Sequence, residues 1–188
     1  MTMIHQDTTG DAEPAVPEDV DRRYALTVEM LGSALARLAA GYESDPAEQQ
    51  DLVQDIHLQV WRSLKSFDGR CSLRTWVYRV AHNVTADHVG RARRRKDMIS
   101  LDQSAAEIGA DPRPSPEIEI SDRLALAQIH AMLHRLRPVD RQVMILYLED
   151  ESAATIAEVS GLSAGAVATR ISRIKRLLAG QLTLEATR

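Results

Sequence analysis

TIAEVSGLSAGAVATRISRIKRLL, Thr155 to Leu178, reads as a helix, a tight turn and a second helix that ends in cations. Ile156, Ala157 and Val159 lead into Gly161, the one residue there that takes positive φ without strain. Ser163 stands where an N-cap belongs. Beyond it Val167, Ile171, Ile174 and Leu178 recur at i+4, i+3 and i+4, which marks one apolar face. At about 100° per residue, Ala166, Thr169, Ser172, Arg173 and Arg176 point the other way. An apolar back with a front of small, hydroxyl and guanidinium groups is the layout of a DNA-reading helix-turn-helix. The chain carrying it is nevertheless acidic, with net charge −4 and pI near 5.9.

The average hides blocks of opposite sign. Met1 to Arg22 holds six carboxylates and one arginine, and Glu43 to Asp55 holds five carboxylates and no cation. Arg70 to Lys96 has eight Arg or Lys against Asp87 alone. Asp97 to Asp122 returns to seven carboxylates against Arg113. Arg170, Arg173, Lys175 and Arg176 then cluster with no acid in their segment. A nucleic-acid footprint is a local field, so a negative total does not oppose it. A solvated helix end would explain RARRRK alone. Two cationic segments fenced by acidic ones, one of them a helix-turn-helix, favour nucleic acid. The acidic blocks imply other surfaces that face something besides DNA.

At 188 residues the chain is one large domain or two small ones. Aromatics at 4% make an aromatic-packed β architecture a poor fit, and the Ala, Leu, Arg, Glu and Gln richness favours helix. A single cysteine, Cys71, excludes an internal disulfide framework and fits a reducing cytoplasm. The longest apolar run, Val143 to Leu148, falls far short of the roughly 20 residues that span a bilayer, so no membrane insertion is expected. The amino terminus is acidic and polar, the reverse of a signal peptide.

Helices are expected near Tyr24–Tyr42, Pro46–Lys65 and Ser72–Arg95, then near Asp122–Leu136, Pro138–Glu149, Ala153–Ser160 and Ala164–Gly180. Met98 to Ser121, with Gly109, Pro112, Pro114 and Pro116, reads as a linker. The expected fold is all-α, two small helical domains on a flexible 24-residue tether, the second a helix-turn-helix domain. Fully extended at 3.3–3.6 Å per residue, the tether spans at most ~80 Å. One duplex turn is about 34 Å, so both modules can touch one DNA.

In DLVQDIHLQVWRSLKSF, Leu52, Val53, Ile56, Val60 and Leu64 form one apolar stripe, leaving Asp51, Gln54, Leu58 and Trp61 on the far side. An exposed Leu and Trp flanked by carboxylate and amide compose a partner-binding face. The alternative is a central helix buried on both sides, which Asp51 and Asp55 oppose. In the loop FDGRCS and the helix after it, Arg70, Arg74 and Arg79 can meet phosphates, Trp76 and Tyr78 can stack on bases, and Asn83 can read one. Trp76 with Val80 and Val84 at i+4 steps fits ordinary core better.

DLVQDIHLQVW followed by SFDGRCSLRTWVYRVAHNVTADHVGRARRR resembles the promoter-melting domain of bacterial RNA polymerase sigma factors, closest to the extracytoplasmic-function (ECF) group. LRPVDRQVMILYLEDESAATIAEVSGLSAGAVATRISRIKRLL is similar to that group's second domain, and the two stand in the family's order. The resemblance implies an acidic tail over 1–20, region 2 over 21–97, a linker over 98–121, region 4 over 122–182 and a tail over 183–188. It implies that Asp51, Gln54, Asp55, His57 and Trp61 grip the β′ coiled coil of core polymerase, while region 4 meets the β flap. The loop Phe67, Asp68, Arg70 and Ser72, with Arg74, Arg79 and Asn83, falls on the −10 element. Ser163, Thr169, Arg170, Arg173 and Arg176 belong to the helix of the −35 element. Promoter DNA and an anti-sigma factor are the other implied partners, with no cofactor, no metal and no catalysis. His57 stands in place of the family's usual aromatic, Ala168-Thr169 in place of a Lys-Ser pair, and Ser152-Ala153-Ala154 in place of an aromatic with acids. These departures bear on which promoter is read.

Two other classes compete. A free-standing helix-turn-helix regulator would need an α/β receiver or ligand pocket in residues 24–96, where no strand pattern occurs. A nucleic-acid enzyme would need metal carboxylates near the basic face. His130 and His134 have a metal-sharing i, i+4 spacing, but Ala131 stands where a metalloprotease has Glu and no third ligand is evident. Cys71 reads as a small loop residue, though its arginine neighbours can lower a thiol pKa.

Overall fold

The computed structural model describes residues 18–100 and 117–186, all helix, turn and loop, with no strand among them. Of the expected tails, residues 1–17 and 187–188 lie outside those described, as do residues 101–116 of the expected linker; α7 runs through 183–186 of the expected carboxyl-terminal tail. Three long helices open the chain: α1 Glu18–Ala40, α2 Pro46–Ser63 and α3 Leu73–Ser100. Four follow: α4 Glu117–Arg135, α5 Pro138–Leu148, α6 Ala153–Ser160 and α7 Ala164–Ala186. The all-α expectation holds. The helices run longer than expected at the start of α1 and α4 and at the end of α3 and α7, while α1 ends at Ala40 and not at Tyr42; Val20, in the added first turn of α1, is buried in the core.

Each break has a local cause. Gly41 ends α1, its N–H returning to the carbonyls of Arg37 and Leu38 at 3.0 and 3.1 Å. Asp45 caps α2 by accepting from the N–H groups of Ala47 and Glu48, and Pro46 supplies the first helical residue. The stripe Leu52, Ile56, Val60 is buried and runs on into Leu64, the first residue of a 3-10 turn over Leu64–Ser66. Ser72 caps α3, its hydroxyl accepting from Thr75 N–H at 3.0 Å. Leu31, Leu35 and Leu38 of α1 and Val77, Tyr78 and Ala81 of α3 close the core of this first module.

Some of the polar groups inside that core are paired, while His82 Nε2 and the Tyr78 hydroxyl are buried without a hydrogen-bond partner. Tyr42 Oη lies 3.1 Å from His82 Nδ1, and Thr85 donates to the His82 carbonyl. Burial drives the His82 pKa down to about 3, so its ring is neutral.

The second module packs Leu133 of α4, Val143, Met144 and Leu146 of α5, Ile156 and Val159 of α6, and Val167 and Ile174 of α7. Arg141 closes the end of α4, donating to the carbonyls of Leu133 and His134 at 2.8 and 2.5 Å. The last carbonyls of a helix lack i+4 partners, and here the Leu133 carbonyl also accepts from Leu136 N–H at 3.0 Å. Ser152 caps α6, Gly161 takes φ 71° at its end, and Ser163 caps α7 through Ala166 N–H at 3.2 Å. The turn is built as the spacing predicts.

The modules meet along a seam. Arg37 of α1 grips Glu149 through Nε and Nη2 at 2.7 and 2.6 Å. Arg74 of α3 pairs with Glu151, and Arg79 Nη2 donates to the Glu158 carbonyl at 3.2 Å. Gly41 faces Ile145, and the Arg141 guanidinium lies 5.4 Å over the Tyr42 ring.

Candidate nucleic-acid and partner interfaces

On α2 the structure separates the implied partner-binding residues by exposure. Asp51, Gln54 and Asp55 are exposed, as is Leu58 at 46%. Asp55 reaches Arg91 of α3 at 3.4 Å, both side chains about half exposed, so the pair is weak. Trp61 departs from its expected free exposure. Its ring packs on the core, its indole N–H donates to Asp21 of α1 at 2.9 Å, and the Lys65 ammonium sits 5.0 Å from its centroid. His57 is half-buried, its Nδ1 3.0 Å from the Tyr24 hydroxyl, and burial lowers its pKa. The exposed edge is therefore acid and amide, with Leu58 as its apolar member.

The loop between the 3-10 turn and α3 has a fixed backbone. Gly69 takes φ 75°, and Asp68 accepts from Arg70 N–H while pairing with its guanidinium at 3.0 Å. Phe67 is half-buried and meets Trp76 edge-on at 5.5 Å. Trp76 donates to Ser63 Oγ at 3.0 Å and packs on the core, which is the core role its spacing suggests. Tyr78 cannot stack on bases as expected: it is fully buried, and desolvation with the Glu151 charge pushes its pKa up to about 12. Ser72 spends its hydroxyl on the α3 cap and Thr75. Cys71 is half-buried and free. Arg70 and Asn83 are exposed, and Arg74 and Arg79 follow on the face of α3 that meets the second module. Burial acts to lower the Arg74 pKa, but its hydrogen bond to Glu151 outweighs that and the net shift is upward.

On α7, Ser163 and Thr169 are exposed, with Thr169 Oγ1 bonded back to the Gly165 carbonyl at 2.9 Å. Arg176 is exposed. Arg170 and Arg173 differ from their expected freedom. Both reach one buried carboxylate, Asp140, at 2.5 and 2.9 Å, and Arg137 joins them at 2.9 Å. Asp140 is 4% exposed. Burial raises its pKa, yet hydrogen bonds from Arg170 and Arg137 hold it below the ordinary carboxylate range. It lies in the first turn of α5, where the helix dipole also favours a negative charge. The cation cluster of α7 thus has an acid after all, contributed by another helix. Nothing in the local pattern of α7 signals it, because Asp140 stands thirty positions before Arg170. Glu149 and Glu151, whose side chains are 8% and 6% exposed, are likewise legible only in three dimensions.

His130 and His134 lie half-buried on α4, and burial lowers both pKa values. No group of three or more His, Cys, Asp or Glu side chains suited to a metal occurs among the described residues.

A three-helix bundle bearing a basic loop, followed by a capped helix-turn-helix, is the two-part plan of a transcription initiation factor. The Sigma-70 region 2 family matches residues 27–95, and Sigma-70, region 4 matches residues 126–178. RNA polymerase sigma factor NccH of Alcaligenes xylosoxydans xylosoxydans is 32% identical over 90% of this chain and 96% of its own length. Among solved structures, that of CnrH in complex with the cytosolic domain of CnrY superposes with TM-score 0.64 at 25% identity, covering 87% of this chain and 90% of that one. The sigma factor RpoE from Bartonella quintana, solved with the anti-sigma factor NepR, shares the fold with TM-score 0.65 at 21% identity, covering 86% of this chain and 98% of that one. The chain belongs to the ECF group of RNA polymerase sigma factors, proteins that direct the polymerase to promoters and that as a family are non-enzymatic initiation factors.

Proposed function

We propose that this chain binds core polymerase through the exposed edge of α2, with Asp51, Gln54 and Asp55 facing the β′ coiled coil and His57 and Trp61 bracing that edge from behind. The loop Phe67 to Ser72, with Arg74, Arg79 and Asn83, meets the −10 element, and the front of α7 meets the −35 element. Region 2 then spans 21–97, the linker 98–121 and region 4 122–182, between tails 1–20 and 183–188. The work is done in the cytoplasm without catalysis, cofactor or metal. No helix among the described residues is long and apolar enough to cross a membrane. Region 4 meets the β flap, and an anti-sigma factor like those seated on the solved relatives regulates the chain.

One observation carries this reading. An acid and amide edge free of core duty on α2 lies in the same small bundle as an arginine-flanked loop. A polymerase clamp and a strand-capturing loop need to be neighbours, because melting holds only while unstacked bases are retained. Unstacking costs a few kcal/mol per base and is offset by pocket contacts. The first module is a helical bundle, unlike the α/β receiver of a two-component regulator.

The test is promoter binding with and without core polymerase. The free chain, with net charge −4, is expected to bind duplex promoter DNA weakly, and strongly once core enzyme is added. Tight promoter-specific binding by the free chain at physiological salt would support a free-standing regulator instead.

A further inference from the structure

We propose that Asp140 of α5 sets −35 specificity: its buried carboxylate holds Arg170 and Arg173 of α7, so that Arg173 offers its remaining N–H groups to a base edge in one fixed orientation. Asp140 touches no base and acts through Arg173, which makes it a positioning residue. This role rests on the −35 reading given above to the front of α7; the clamp itself does not.

Both Asp140 oxygens are committed to guanidiniums. Oδ1 accepts from Arg170 Nη1 at 2.5 Å. Oδ2 accepts from Arg173 Nη2 at 2.9 Å and from Arg137 Nε and Nη2 at 3.1 and 2.9 Å. An acid in the first turn of a helix can reach back to that helix's own N-terminus. Here its bonds run to arginine instead. Thr169, Arg173 and Arg176 follow one another at i+4 and i+3 along the front of α7, and Arg170 lies one residue round the helix from Thr169. The Arg170 side chain is 30% exposed and that of Arg173 45%, so Arg173 is the one that combines a fixed head with an open side. It gives Asp140 one nitrogen, and a guanidinium carries five N–H donors, which leaves it donors for a base.

The cluster is not needed to seat α7. Val143 and Leu146 of α5 and Val167 and Ile174 of α7 already share one apolar core. Burying a carboxylate carries a desolvation cost that its partners must offset, so such a cluster is weak evidence for stability. What it supplies is order. An unheld arginine loses rotamer freedom on binding and can swing from a base to a phosphate. One held beforehand has already lost that freedom, and a wrong base leaves its donors unmatched. Arg176, further along α7, is exposed and does not share Asp140, which suits it to the phosphates that any sequence offers. Three guanidiniums against one carboxylate leave the cluster cationic, so the clamp orients Arg173 without removing the attraction to DNA.

The experiment uses the full chain assembled with core RNA polymerase. A promoter is first selected from a randomised DNA library with the parent holoenzyme, and its −35 bases are then varied one at a time. The variants are Asp140→Asn, which keeps the shape and removes the charge, Arg173→Ala, and the two combined. Urea melts identify any that has unfolded. Asp140→Glu, which keeps the charge and displaces it by one methylene, takes the same test if Asp140→Asn unfolds. Binding is read as a ratio between sequences, so a uniform loss cancels. Arg173→Ala is expected to lose discrimination at one base position, Asp140→Asn to lose about 5-fold at that same position, and the combination to lose no more than Arg173→Ala alone. A brace that only stabilised α7 would weaken every sequence by one factor. Unchanged preferences in the folded Asp140 variant, beside altered ones in Arg173→Ala, would therefore overturn the positioning role and leave the −35 reading standing. A loss from Asp140→Asn that persists in full without the Arg173 side chain would overturn action through Arg173. Unchanged preferences in Arg173→Ala would overturn the role as well, and would place the fault in the −35 reading of α7.

Discussion

In α7, Arg170 and Arg173 reach Asp140 of their own module, whereas in α3 Arg74 and Arg79 reach Glu151 and Glu158 of the other module. Both sets lie on proposed DNA surfaces, and both have an acid in place of phosphate. The difference is in what the acid depends on. Asp140 is fixed by the fold of the second module, so it aims the guanidiniums in every arrangement of the chain. Glu151 and Glu158 reach α3 from across the junction of the two modules, so their place depends on how the modules pack and not on the fold of either one.

The comparison breaks first at Asp140. Asp140→Ala removes the buried partner of three arginines whose heads reach solvent, so no buried charge is left unpaired. The loss of its charged hydrogen bonds is expected to cost about 1.5–3 kcal/mol in a urea melt. An undiminished melt would show that the clamp only orients the arginines. Arg173→Ala should cost about 1–3 kcal/mol at one base position of the −35 element and leave core binding intact. A scan of −35 variants checks this; preferences identical to the parent would assign Arg173 to packing or phosphate.

Acid should then separate the two modules. His82, in the first, has its pKa lowered from 6.5 to about 3, so the unfolded chain takes the proton first. Its contribution is complete above about pH 6.5 and declines as pH falls toward 3, by at most about 1.4 kcal/mol per pH unit. Asp140 is also lowered, from 3.8, so its contribution stands above that value and is lost as pH falls below it. His130 and His134 of the second module are lowered from 6.5 as well, so both modules lose stability below that value, and the first, with the larger His82 shift, should lose more before Asp140 titrates. Melts from pH 7 to 3 check the order, and His82→Phe should flatten the early part of the decline.

The helix-turn-helix was legible because its determinants are local: Gly161 for a positive φ, Ser163 for a cap, and a 3–4 apolar period behind them. The stripe of α2 was legible for the same reason. Trp61 was not, because its indole seat is Asp21, in a first turn of α1 that no apolar period announces. Tyr78 looked available for stacking from its place beside arginines, but those arginines face the other module and the ring lies beneath them. The α7 arginines of the Asp140 clamp and the ion pair of Arg37 with Glu149 join residues 30 to 112 positions apart, and no short pattern encodes such a meeting.

The central claim is that the exposed edge of α2 delivers this chain to polymerase. Gln54→Ala with Asp55→Arg changes exposed side chains, and the Arg91 pair it disrupts is weak, so the melt should move by no more than about 0.5 kcal/mol. A reversed charge in a complementary interface can cost several kcal/mol, which lowers occupancy by orders of magnitude. The direct measurement is co-elution with core RNA polymerase on gel filtration, parent beside double variant. The account predicts that the parent co-elutes and the folded variant does not. Co-elution of both, or of neither, would contradict it.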